Sequence, residues 1–486
     1  MRNNRFSLQA LERAFLFLFM TILVVIACVF YKERILFNDT LKCISDMFYK
    51  DGFNVTSNRY IILFSEPLPL LAFKAGWSLK AIIFLFSLNL ILLPVILSLL
   101  SMYWFRETRT AWTILLFYVL MAARLFYYPI SEFQYGLGFL LFYIGFYEYA
   151  TQAPGRVKNW LFWLISLFFI PTVIFSHPLS PLVFFAWVPL HYVLHREKMG
   201  RLAAISSLAG IFEAVKLLFF NPAHDTNKAQ SVSHFKTWDW SYLDGRLANG
   251  FYKALRDDYF LVPVLLVLAV IALIYWRKYL GAVLLLGIVG AFWLLVTVSL
   301  KDEPYWYYSE HIYQPVTFFI ALAGGRYLPE ATSRRFYFPL LALIALVSLN
   351  KVYLGHESMS RRLDWYKNCF QLMETKGITK GIVGIDRMDI DWRMEANWWT
   401  QYESAFLDAM DHPGTTTRTV TMVWNEETAR AAINQGHNLI GVSLDYWPIS
   451  DLPKQYFHLD TSHYVILADT FGDQQVRRLS YEKPRK

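Results

Sequence analysis

Charge is scarce in this chain. Asp, Glu, Lys and Arg make up 17% of its 486 residues, against roughly a quarter in ordinary soluble domains, which argues against a large water-soluble protein. Cysteine is scarcer, with three in all. Cys28 falls within an apolar run and reads as a small packing residue. Cys43 and Cys369 leave a disulfide or two free thiols equally open, and no pair has metal-ligand spacing. Internal repeats and low-complexity tracts are lacking. So is a small-residue cleavage pattern after the first apolar run: Ala14 to Tyr31, preceded by Arg2, Arg5 and Arg13, continues into Lys32-Glu33-Arg34. It therefore reads as an uncleaved first span with a cytoplasmic N-terminus rather than a signal peptide.

What is abundant is apolar length. Hydrophobic residues reach 56%, and eleven apolar stretches lie between Leu11 and Leu354, which predicts a polytopic α-helical membrane protein of about 11 transmembrane helices. After the first, spans are expected near 81–105, 110–128, 132–150, 159–176, 181–195, 202–220, 259–276, 280–300, 312–327 and 336–353. Every second link is short and basic: Arg106 with Arg109, Arg156 with Lys158, Arg196 with Lys198 and Arg201, Arg277 with Lys278, Arg334 with Arg335. Such an excess of Lys and Arg marks the cytoplasmic face. The predicted domains are a transmembrane unit, 1–353, with external loops 32–80 and 221–258, and an extracytoplasmic soluble α/β domain, 354–486.

The net charge of +8 divides unevenly. Residues 354–486 hold 15 Lys/Arg and 18 Asp/Glu, a balance of −3, leaving +11 for residues 1–353. The basic excess thus belongs to cytoplasmic loops, and no nucleic acid is expected as a partner. In the tail, 381–386, 418–424, 438–444 and 463–468 read as strands and 426–435 as an amphipathic helix.

Candidate chemistry gathers on the external side. Loop 32–80 holds Asp39, Asp46 and Asp51, and an apolar segment, 60–73, interrupted by Glu66, Pro67 and Pro69 reads as an interfacial or re-entrant helix. Asp39, just outside the first span, suits a general base acting on an acceptor hydroxyl at a lipid headgroup; as the residue before Thr40-Leu-Lys it equally suits a helix cap. Loop 221–258 sets Asp225 beside Trp238 and Trp240, a mixture that fits sugar rings or an ordinary aromatic belt. Glu132 and His177 lie in shorter external links, and Glu310-His311 in another. Within spans, Arg124 is placed to snorkel outward or to hold a lipid pyrophosphate, and Glu213 with Lys216 to pair on one helix face. A divalent cation held by carboxylates and His177 fits the residue types, though no spacing specifies a metal site. Asn38-Asp-Thr and Asn54-Val-Thr match glycosylation acceptors, a motif frequent by chance.

The cytoplasmic N-terminus, acidic first external loop, interfacial helix before the second span, many spans and extracytoplasmic C-terminal domain together resemble the GT-C superfamily of integral membrane glycosyltransferases. Ser131-Glu-Phe-Gln-Tyr-Gly136 and Ser176-His-Pro-Leu-Ser-Pro181 resemble outer-face motifs of that group. The resemblance implies a catalytic acid in the first external loop, for which Asp39 is the matching position, and polyprenyl-phosphate-linked sugar donors. The superfamily's usual acidic pair is absent, since Asn38 precedes Asp39. The expectation is a glycosyltransferase of a bacterial cytoplasmic (inner) membrane, with a lipid-linked sugar donor and membrane lipids as partners. The rivals are a multispanning transporter or flippase, and a non-catalytic membrane scaffold.

Overall fold

The computed structural model describes residues 2–36, 40–55, 59–128, 132–152, 155–196, 199–220, 234–236, 239–300, 309–387, 399–424 and 426–479. Each of the eleven apolar stretches becomes a helix: α1 (Arg2–Val29), α4 (Leu79–Tyr103), α5 (Arg109–Val119), α6 (Glu132–Thr151), α7 (Asn159–Ile174), α8 (Ser180–His195), α9 (Met199–Phe219), α11 (Leu261–Tyr275), α12 (Tyr279–Ser299), α13 (Gln314–Leu322) and α14 (Arg334–Leu354). A lipid core offers no water to peptide groups, so long apolar runs fold as helices that satisfy their own backbones. Among the described residues five helices are long and apolar enough to cross a membrane. Counting a bent pair, α10 (Arg246–Asp257) with α11, as one span broken by 79° brings the number to six. These mark the chain as membrane-embedded.

Two expected spans are interrupted. Helix α5 stops at Val119, and further on the backbone N–H groups of Arg124 and Leu125 are captured by Glu310 Oε2 at 2.8 and 2.7 Å. Helix α13 runs into a π turn, Ala323–Tyr327. Elsewhere the differences are local. Segment 60–73 forms a 3-10 turn, Tyr60–Phe64, followed by α3 (Pro67–Lys74), whose prolines occupy the first turn, where no backbone donor is missed. Part of loop 221–258 is the amphipathic α10, which buries Leu247, Phe251 and Ala254 and stacks Phe251 on Tyr313 at 3.9 Å.

Basic links gather at one end of the bundle. There Arg13 donates to the Arg106 carbonyl, Arg201 to that of Ala150 and Lys278 to that of Leu194, while Arg334 pairs with Glu12 at 2.9 Å. Three helices on this end close with an arginine at positive φ: Arg106 at 56°, Arg196 at 49° and Arg277 at 58°. That left-handed position ordinarily belongs to glycine.

The opposite end carries the C-terminal unit. Helix α15 (His356–Glu374) follows α14 directly and leads to a parallel sheet ordered β2-β1-β5, with β1 Lys380–Gly384, β2 Thr419–Val423 and β5 Val465–Ile466. Helix α16 (Thr400–Asp411) makes the crossover from β1 to β2 and packs on β2. The expected strand 438–444 pairs only over β3 (Asn438–Ile440), since Gly441 N–H bonds to the Asp445 carbonyl at 2.8 Å. This turn, with Leu444 at φ 62°, returns the chain as antiparallel β4 (Tyr446–Pro448). The expected helix 426–435 is one α turn, Glu426–Ala429, continued as a 3-10 turn, Arg430–Ala432. Cys43 and Cys369 are both buried and form no disulfide with each other, and burial pushes the Cys369 thiol up.

Candidate functional site

The segment after α1 is fastened to the bundle by one cation. Arg34 is 2% exposed; it donates to Ser87 Oγ at 2.9 Å and to the Phe126 carbonyl, and its guanidinium lies 4.3 Å from the Phe126 ring centroid. Burial pushes its pKa down to about 10, which leaves it charged at neutral pH. The segment then rises under the C-terminal unit as α2 (Thr40–Tyr49). Phe48 stacks on Phe406 at 6.0 Å and meets the tilted Tyr456 ring at 5.8 Å, while Lys42 sits 4.6 Å from the Trp447 ring. Tyr456 donates to the Trp77 carbonyl at 2.9 Å, Ser360 to Glu33 at 3.0 Å, and Lys32 pairs with Asp411. First segment and C-terminal unit therefore share one packed interface above the helices.

Beneath that interface several helix ends bring polar groups together. Glu132 opens α6 and lies 3.5 Å from Arg59, which comes from the turn before α3. The ring of His177, 8% exposed, stacks on Phe133 at 4.2 Å and meets His311 edge-on at 6.4 Å; its Nδ1 accepts the Leu179 N–H at 3.2 Å. His311 also faces Tyr128 at 6.1 Å. Next to it Glu310, 3% exposed, pairs with Arg124 at 3.2 Å and accepts from the Tyr259 hydroxyl. Arg124 reaches on to Asp258 at 3.4 Å, and Asp258 is bridged to Lys351, also at 3.4 Å.

No family model, curated protein or solved structure matches this chain.

Of the residues singled out from sequence, Arg124, Glu132 and His177 belong to this cluster. Trp240 stands apart, 72% exposed in a turn that Asp239 caps by accepting the Ser241 N–H at 3.1 Å. Asp39, Asp225 and Trp238 lie outside the described residues. Arg124 does not snorkel: two carboxylates neutralise it. Lys216 lies 3.8 Å from Glu213 and donates to the Ile174 carbonyl at 2.9 Å, so both are accounted for by helix-face pairing and span anchoring. Asn54 is fully buried, with Lys50 donating to its Oδ1 at 2.5 Å, which leaves no room for a glycan there.

Sequence reasoning missed Arg59, Tyr259 and Lys351. They sit beside apolar runs without any motif, and only the assembled bundle brings them to the cluster. Its cations Arg59, Arg124 and Lys351 each face a carboxylate, so an anion enters only by displacing one of them, while its imidazoles can orient hydroxyls.

Proposed function

We propose that this chain is a polytopic, GT-C-like membrane glycosyltransferase of about eleven spans. It moves a sugar from a lipid-phosphate donor to an acceptor on the face bearing the C-terminal domain, the outer face of a bacterial cytoplasmic membrane. The observation that carries the reading is the gathering of Arg59, Glu132, His177, His311 and Arg124 at the membrane end covered by the first inter-span segment and the C-terminal unit. Asp39, on that segment, is the general base. Glu132 and His177 orient donor and acceptor, with a divalent cation as a further ligand for the donor phosphate. Asp225, Trp238 and Trp240 on loop 221–258 meet the sugar. The donor phosphate exchanges with Asp258 at Arg124, because Asp258 is the more open partner, 34% exposed against 3% for Glu310.

The test is transfer of labelled sugar from a polyprenyl-phosphate donor in membranes containing the protein. Asp39→Ala should slow transfer by about 100-fold or more, the usual scale of a lost general base; full activity removes Asp39 from the mechanism. A second reading, a transporter or flippase, draws on the buried charges around Arg326 in the π turn, since ionisable groups and broken helices inside a bundle mark translocation routes. Lipid flipping or solute uptake by the purified protein without sugar transfer would select it.

A further inference from the structure

At the basic-link end, far from the cluster above, three potential ligands converge inside the bundle. His191 and His195 stand four residues apart on the last turns of α8, and Glu148 comes from the last turns of α6. Glu148 Oε1 lies 3.5 Å from His191 Nδ1 and 4.0 Å from His195 Nε2, and one ligand atom from each residue fits within a 4.8 Å separation. A tetrahedral zinc ion with bonds of roughly 2.0–2.1 Å keeps its ligand atoms about 3.4 Å apart. We propose that Glu148, His191 and His195 bind one borderline d-block dication, zinc foremost, at this end of the bundle.

The surroundings prepare the ligands. Arg326, 1% exposed, donates from Nε to Glu148 Oε2 at 2.6 Å and again from Nη2, so one carboxylate oxygen is held while Oε1 is turned to the two imidazoles. Arg326 is fixed in turn by Glu107 at 3.1 Å and Thr110 at 3.0 Å. Outer-shell partners of this kind set ligand orientation. The imidazoles are clamped by rings: Trp187 at 5.1 Å and Tyr147 at 5.4 Å from His191, Tyr327 at 6.3 Å from His195. The π turn, Ala323–Tyr327, presents Arg326 and Tyr327 together, and such turns often occur at functional positions.

An access route exists. A polar cleft of about 660 Å³ opens beside His195 and is bordered by Glu107, Gln152, Glu330 and Tyr337. Of the three guanidiniums on its rim, Arg109 is paired with Glu330 at 2.5 Å and Arg334 with Glu12, and Arg106 shares the cleft lining with the carboxylates of Glu107 and Glu330. Three protein ligands leave the fourth position to water from the cleft, the arrangement of an open rather than a closed zinc site.

The test uses the full chain, purified in detergent with any affinity tag removed. Metal content by mass spectrometry should reach one zinc per chain after dialysis against zinc. The chelator-treated protein should bind Co2+ with tetrahedral d–d absorption. Glu148→Gln and His195→Ala should each weaken Co2+ binding by more than about 100-fold, since outer-shell changes alone cost up to that much. His195 is the more exposed ligand, so His195→Ala separates loss of metal from loss of fold: its metal-free melting temperature should match wild type while the metal-induced rise disappears. Wild-type protein that takes up no Co2+, or His195→Ala that retains wild-type binding, overturns the proposal.

Discussion

Glu66 carries a pH dependence that its neighbours explain. Its carboxyl is 1% exposed where α3 begins, and Oε2 accepts the Asn54 N–H at 2.7 Å. Burial outweighs that bond and the nearby Lys50, and Asp46 adds repulsion, so the pKa rises to about 7 from its ordinary 4.5. The native state therefore keeps a proton that the unfolded chain has released in between. Its contribution is full below the ordinary carboxylate range and declines as pH climbs through about 7. Between about pH 5 and pH 8 the first segment should lose up to roughly 3 kcal/mol, at about 1.4 kcal/mol per pKa unit. Thermal unfolding across that range, compared with Glu66→Gln, checks this; parallel curves for the two proteins would sink it. From sequence Glu66 reads only as an interruption of an apolar segment, because Asn54 and Asp46 reach it through folding of the intervening turns. Arg124 was legible as a charge within an apolar run. Glu310, its partner 186 residues later, carries no local signal linking the two.

At the scale of elements, two packings should fail under single substitutions. Gly325 lies in the π turn against α5, where an added Cβ would come within 2.5 Å of the Thr113 backbone nitrogen. Backbone cannot give way as a side-chain end can, so Gly325→Ala should separate α5 from the π turn and lower stability by roughly 1–3 kcal/mol, the usual cost of overpacking. A melting temperature equal to wild type would argue against it. In the C-terminal unit, Arg362 on α15 forks onto both carboxylate oxygens of Glu403 on α16 at 2.7 and 2.9 Å, and Tyr366 adds a third donor at 2.7 Å; neither member of the ion pair is exposed. Glu403→Gln leaves a buried guanidinium without its counter-charge and should cost about 3–5 kcal/mol, measurable by denaturant titration. A loss under 1 kcal/mol would mean that water reaches Arg362.

For the whole molecule, periodicity and charge made much of the layout legible. All eleven apolar stretches are helices, and five basic residues from the expected links, Arg106, Arg109, Arg201, Lys278 and Arg334, lie at one end. Hydropathy alone marks only five or six helices as long and apolar enough to cross a membrane. Helix α6 explains part of the gap: Gln134, Tyr135, Tyr143, Tyr147 and Glu148 line a helix buried on nearly every side, so it faces protein rather than lipid. What remained illegible was convergence. His191, His195 and Glu148 sit in runs that read as plain helix, and their meeting depends on how α6 and α8 cross.

The arginines that close α4, α8 and α11 in left-handed conformation connect folding with insertion. An L-residue there sacrifices roughly 1 kcal/mol of backbone comfort that glycine would not, yet each of the three turns keeps a cationic residue just past a helix C-terminus, and on the proposed topology that end meets the anionic cytoplasmic surface. On the proposed topology, native stability and biosynthetic orientation pull these turns in opposite directions. Arg196→Gly should raise the melting temperature of the finished protein while increasing the fraction of chains inserted the wrong way round, read by protease accessibility of the C-terminal unit. A protein stable enough once made would then be limited by how faithfully it enters the bilayer, and its least comfortable turns would be its topological memory.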